Sequence, residues 1–110
     1  MSADLYSYRI VPGTWRCVDG DTIDLDIDLG FRITTRIRGR LLGVDTPERG
    51  EETYDIATER LKSLMTAAQL NGSMIVRTKK CGKWGRWLVE LPENINQIMA
   101  ESWPYPKPCD

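Results

Sequence analysis

From Thr22 to Leu29 apolar and polar residues alternate without a break. Ile23, Leu25, Ile27 and Leu29 share one face, and Asp24, Asp26 and Asp28 share the other. A period of two marks a half-buried β-strand. Gly30 turns the chain, and residues 31–41 alternate again, Phe31, Ile33, Ile37 and Leu41 against Arg32, Arg36, Arg38 and Arg40. The pattern predicts a hairpin with Asp facing Arg across it on a largely solvated face. Upstream, residues 5–18 predict a first strand region broken at Pro12-Gly13, followed by an Asp19-Gly20-Asp21 turn.

Between residues 51 and 71 the period lengthens. Tyr54, Ala57, Leu61, Leu64, Met65 and Ala68 recur at three- and four-residue spacing, the mark of an amphipathic helix. Asn71-Gly72 supplies its stop. Residues 73–79 and 86–91 predict two more strands, and 94–102 a short helix. Three strands, a helix, two strands and a helix suit an α+β fold of OB type, a five-stranded Greek-key barrel with a helix between strands three and four. Ile23, Leu25, Ile27, Ile33, Ile37, Leu61, Leu64 and Val76 are expected in one core. The 110 residues suit a single domain, 1–110, with an ordered core over about 5–103 and a Pro-rich tail at 104–110 that cannot be regular structure.

Charge and composition narrow the chemistry. Net charge is −1, so any nucleic-acid contact must be local, through a few arginines at one site. The chain contains no histidine, which removes Ser-His-Asp hydrolysis and His-ligated zinc. Cys17, Cys81 and Cys109 form no CxxC pair and read as reduced structural thiols. No apolar run approaches a membrane span. Residues 1–11 lack the pattern of a signal peptide, so an intracellular protein is expected, or a mature form whose leader was removed.

Three clusters carry candidate chemistry. They are Asp19-Gly20-Asp21-Thr22, Arg40-Leu41-Leu42-Gly43-Val44-Asp45-Thr46-Pro47-Glu48, and Lys83-Trp84-Gly85-Arg86. Each also has a plain structural reading: DGD is a common turn, DTPE can open a helix with Asp45 or Thr46 as cap, and KWGR is a basic loop. Taken together they supply hard oxygen donors for calcium or magnesium and planar guanidinium groups for phosphate oxygens.

These stretches resemble the staphylococcal nuclease (thermonuclease) family. The resemblance rests on V-D-G-D-T (18–22), R-L-L-G-V-D-T-P-E (40–48) and K-W-G-R-W-L (83–88), in that order, and extends over roughly residues 8–103. It implies an OB-fold barrel, one bound calcium ion, and a nuclease that cuts DNA or RNA to leave 3′-phosphate ends. It makes Asp21 and Asp45 carboxylate ligands of the metal and Thr46 a ligand through its carbonyl. Glu48 becomes the group that activates the attacking water. Arg40 and Arg86 become the catalytic phosphate clamp, and Lys83 and Trp84 substrate contacts. Single-stranded nucleic acid is the expected partner, and a monomer the default.

The chain departs from the family in several places. Trp84 stands where tyrosine is usual and Gly82 where aspartate is common. The loop after Pro47-Glu48 is short and acidic, Arg49-Gly50-Glu51-Glu52, and the resemblance stops before the family's final helix. Two readings from other classes stay open here. One is an OB-type nucleic-acid-binding module without catalysis; the other is a partner-binding scaffold using Trp84, Trp87 and Trp103.

Overall fold

A computed structural model describes residues 6–81 and 86–105. It is an α+β fold with a six-stranded mixed sheet and two helices. The strands are β1 (Tyr6–Ile10), β2 (Arg16–Cys17), β3 (Thr22–Asp28), β4 (Thr34–Leu41), β5 (Ile75–Cys81) and β6 (Arg86–Glu90). Helix α1 (Tyr54–Leu70) lies between β4 and β5, and α2 (Ile95–Ser102) follows β6. The sheet order is β1-β5-β6-β4-β3-β2, and β1 pairs in addition with β3. All neighbours are antiparallel except β4 and β6.

The β3–β4 hairpin realises the expected charge pairing. Asp24 lies opposite Arg38 and Asp26 opposite Arg36. Arg38 donates to both oxygens of Asp24, at 2.8 and 3.1 Å, and Arg36 reaches Asp26 at 2.7 Å. This face is less wet than the alternation suggests: Asp24 is buried, and Asp26 and Asp28 are half-buried. Arginine stems lying over a sheet shield the carboxylates beneath them.

The hairpin also corrects the expected strand limits. Phe31 and Arg32 adopt left-handed backbone (φ 55 and 62), so β4 begins at Thr34 rather than residue 31. Ile33 closes this turn by donating to the Gly30 carbonyl at 2.9 Å and accepting from the Leu29 N–H at 2.8 Å. Ile33, expected in the core, is therefore exposed, and Phe31 is 94% exposed. Ile23, Leu25, Ile27, Leu61 and Val76 are buried as expected, while Ile37 and Leu64 pack half-buried against them.

Helix α1 starts three residues later than the pattern suggests. Glu48 to Thr53 form turns instead, with Gly50 at φ 95. Turn bonds from Glu51 N–H to the Glu48 carbonyl at 2.9 Å and from Tyr54 N–H to the Glu51 carbonyl at 3.2 Å hold this stretch out of the helix. Ala57, Leu61, Met65 and Ala68 face the core, joined by Ile95 and Met99 from α2. Each of the fully buried leucine, isoleucine and methionine side chains among them contributes about 1.5–3 kcal/mol. At the far end of β6, the buried Asn96 amide accepts from Leu91 N–H at 2.8 Å. It donates to the carbonyls of Leu42 and Val89, at 2.9 Å each. That three-way tie fixes α2 against the segment that follows β4.

Trp15 and Trp103 pack half-buried against the core, and Trp87 is 40% exposed. Cys17 is buried, and burial pushes its thiol up to about 12, so it is inert as a nucleophile. Among the described residues, no helix is long and apolar enough to cross a membrane.

Candidate functional site

The first two sequence clusters meet where β3 begins and β4 ends. Thr22 pairs with Arg40 across the hairpin, and Leu41 N–H donates to the Asp21 carbonyl at 2.8 Å. Asp21 is thereby set beside the end of β4, just before the chain turns at Gly43 toward Asp45. Gly20 permits this approach. A Cβ there would lie 2.7 Å from the Ala57 Cβ and 2.9 Å from the Thr46 side chain. The DGD turn thus presses directly on α1 and on the DTPE segment. Tyr54 reinforces the contact by donating its hydroxyl to the Val18 carbonyl at 3.1 Å.

Asp21 is buried and heavily engaged. Its Oδ1 accepts from the Thr22 hydroxyl at 3.0 Å, and its Oδ2 from the Thr46 N–H at 3.1 Å. Arg40 Nη1 stands 3.4 Å from that same Oδ2. Burial, and then the neighbouring Asp19 carboxyl, push the Asp21 acid above its ordinary 3.8, while the Thr46 N–H and Arg40 pull the other way. Asp45 is exposed, and Arg40 Nη2 donates to its Oδ1 at 3.1 Å and to the Val44 carbonyl at 3.3 Å. One guanidinium therefore spans both carboxylates expected to hold a metal.

Arg40 also lines a cavity of about 380 Å³ with Thr22, Arg38 and Trp87. Two guanidinium groups border this space, each ion-paired, Arg38 with Asp24 and Arg40 with Asp21 and Asp45. Arg86 opens β6, the parallel neighbour of β4, where Arg40 is in register with Leu88. The backbone thus puts the two clamp arginines on adjacent strands; the Arg86 side chain, and all of Lys83 and Trp84, lie outside the described residues.

Thr46 is buried, and its Oγ1 is a buried oxygen with no hydrogen-bond partner among the described residues. Glu48 is exposed, its N–H held by Glu51 Oε1 at 2.6 Å. The structure does not bring its carboxylate into any hydrogen bond or ion pair with Asp21, Asp45 or Arg40. Among the described residues, no three or more carboxylate, cysteine or histidine side chains cluster as a metal centre. What the site offers a cation is the two carboxylates that Arg40 bridges, oxygen donors that suit a hard ion.

Two further residues shape the site. Asp19 Oδ1 accepts the Asp21 N–H at 3.1 Å and shapes the turn. Tyr105 falls in the stretch expected to be an irregular tail, yet Pro104 bridges Val44 and the Tyr105 N–H donates to the Gly43 carbonyl at 3.0 Å. Its ring centroid lies 5.2 Å from the Arg40 guanidinium carbon. These two residues dock because the Gly43–Asp45 segment offers backbone groups to pair with. The D-G-D run signalled Asp19; nothing local to Pro104-Tyr105 signals its docking.

No protein-family model matches the chain, and no curated protein matches it.

Proposed function

We propose that this chain is a calcium-dependent nuclease that hydrolyses phosphodiester bonds of single-stranded DNA or RNA, leaving 3′-phosphate ends. The observation that carries the reading is Arg40, which touches Asp21 and Asp45 on one side and borders an arginine-lined cavity on the other. A cation site and a phosphate site would then share a wall, as metal-assisted phosphodiester hydrolysis requires. An OB-type barrel is the matching fold proposal. The β1–β3 pairing joins the two ends of the run β1-β5-β6-β4-β3, and α1 sits between β4 and β5.

One calcium ion is the cation proposed: Asp21 and Asp45 would hold it, with the Thr46 carbonyl as the resemblance implies, since Arg40 already bridges the two carboxylates. Such an ion, when bound, offsets phosphate charge and acidifies nearby water. Glu48 is free to swing toward that water and accept its proton. Arg40 and Arg86 would hold the phosphoryl oxygens as negative charge builds on them. The water oxygen attacks phosphorus, the bond to the 5′-oxygen breaks with its electron pair staying on that oxygen, and the oxygen takes a proton from solvent; the products are a 3′-phosphate and a 5′-hydroxyl. Lys83 and Trp84 would meet the flanking substrate.

The test separates an enzyme from an OB-type binder. Arg40→Lys and Arg86→Lys keep charge but lose the planar fork. Each is expected to lower turnover at least about 10²-fold, as loss of a preorganised donor does, with a much smaller fall in affinity for an uncleaved oligonucleotide. Equal small losses in both would favour a binding module.

A further inference from the structure

We infer that Arg40 is an internal counter-ion that competes with a divalent cation for Asp21 and Asp45, so that cation binding releases its guanidinium toward the adjoining cavity. The inference rests on the calcium site proposed above.

The two terminal nitrogens of Arg40 are committed to different carboxylates, Nη1 to Asp21 Oδ2 at 3.4 Å and Nη2 to Asp45 Oδ1 at 3.1 Å. For each of these acids Arg40 is the cationic partner among the described residues. Asp21 has little else to give. Its side chain is 8% exposed, and its two oxygens already accept from the Thr22 hydroxyl and the Thr46 N–H.

Calcium binds carboxylate oxygens at about 2.3–2.6 Å. An ion shared by Asp21 and Asp45 would approach the oxygens that Arg40 now contacts, with two positive groups only a few ångströms apart. Their repulsion is strong where water is scarce. The Asp21 carboxylate is held by the Thr46 N–H, whereas Arg40 has a long stem and a second place to go. It already borders the cavity formed with Thr22, Arg38 and Trp87, and its side chain is 25% exposed. The Tyr105 ring and the Val44 carbonyl can keep it nearby as it turns. Cation binding would thus prepare the phosphate contact, and an unloaded site would hold its arginine in reserve.

A scaffolding role predicts the opposite sign. If Arg40 merely positions the two acids, its removal should weaken cation binding; if it competes, removal should tighten it. The experiment is calorimetric titration of calcium chloride into the wild-type chain, Arg40→Gln and Asp21→Asn. We expect Arg40→Gln to bind calcium at least about tenfold more tightly than wild type, and Asp21→Asn to lose binding. Should Arg40→Gln fail to fold, the wild-type Arg40 Nε–H resonance decides the matter. It is expected to shift with the same midpoint as calcium uptake, and a resonance unmoved at saturation overturns the inference. Unchanged or weaker binding by folded Arg40→Gln also overturns it, leaving the calcium reading intact. A wild-type chain that takes up no calcium removes the proposed function and this inference with it.

Discussion

The Arg40 guanidinium carbon lies 5.2 Å from the centroid of the Tyr105 ring, although the two residues are 65 positions apart. The contact exists because the chain beyond α2 pairs with the segment after β4: Asp45 N–H donates to the Trp103 carbonyl at 2.9 Å, and Val44 bridges Pro104. A cation over an aromatic face gains about 0.5–1 kcal/mol at an exposed site. Tyr105→Ala should therefore lower the cleavage rate by roughly two- to fivefold, and Tyr105→Phe should keep most of it. Steady-state rates on one oligonucleotide check this. A loss of equal size in Tyr105→Phe would assign the effect to the hydroxyl instead of the ring face.

Gly20 is the second site where a small change should have a large effect. A methyl group there would meet the Ala57 Cβ at 2.7 Å and Thr46 Cγ2 at 2.9 Å, so either α1 or the DTPE segment must shift. Overpacking of this kind costs about 1–3 kcal/mol. Gly20→Ala should lower the urea midpoint accordingly and, by moving Thr46, weaken calcium binding as well. A variant with wild-type stability and calcium affinity would show that the turn tolerates the displacement.

Asp24 gives a pH signature away from the catalytic cluster. The hydrogen bonds from Arg38 hold its carboxyl below the ordinary 3.8, against the opposing effect of burial. A carboxylate whose folded pKa is depressed stabilises the fold above its unfolded value and loses that contribution as pH falls through the folded value. The stability difference between wild type and Asp24→Asn should be largest above the ordinary 3.8 and shrink as pH falls below it through the depressed folded value. Denaturant melts at several pH values measure it. A difference that stays constant over that range would mean the Asp24–Arg38 pair does not drive acid sensitivity.

How much of this was legible in the sequence depends on the range of the physics involved. The alternation in 22–29 and 34–41 is local, so it shows the hairpin and the Asp24–Arg38 and Asp26–Arg36 pairing directly. The same alternation continues through Phe31 and Ile33, where the backbone has already turned left-handed, so it misplaces Ile33 in the core. The helical spacing from Tyr54 to Ala68 is real, but Gly50 and the Glu48–Thr53 turns delay its start. At the site, Asp21, Arg40 and Asp45 were visible as residue types in ordered clusters, and their meeting depends on the register Thr22 opposite Arg40. Tyr105 was invisible because its docking is a backbone pairing with Gly43, which no side-chain pattern announces. The bridging of both acids by one guanidinium is likewise a property of three dimensions alone.

The measurement that bears most directly on the central claim is cleavage of end-labelled single-stranded DNA by the purified chain, with calcium and with excess chelator, followed by analysis of the product ends. Cleavage with calcium that stops on chelation, with 3′-phosphate and 5′-hydroxyl ends, is the predicted result. Cleavage undiminished in excess chelator, products with 5′-phosphate ends, or no cleavage by folded, calcium-loaded protein would contradict it.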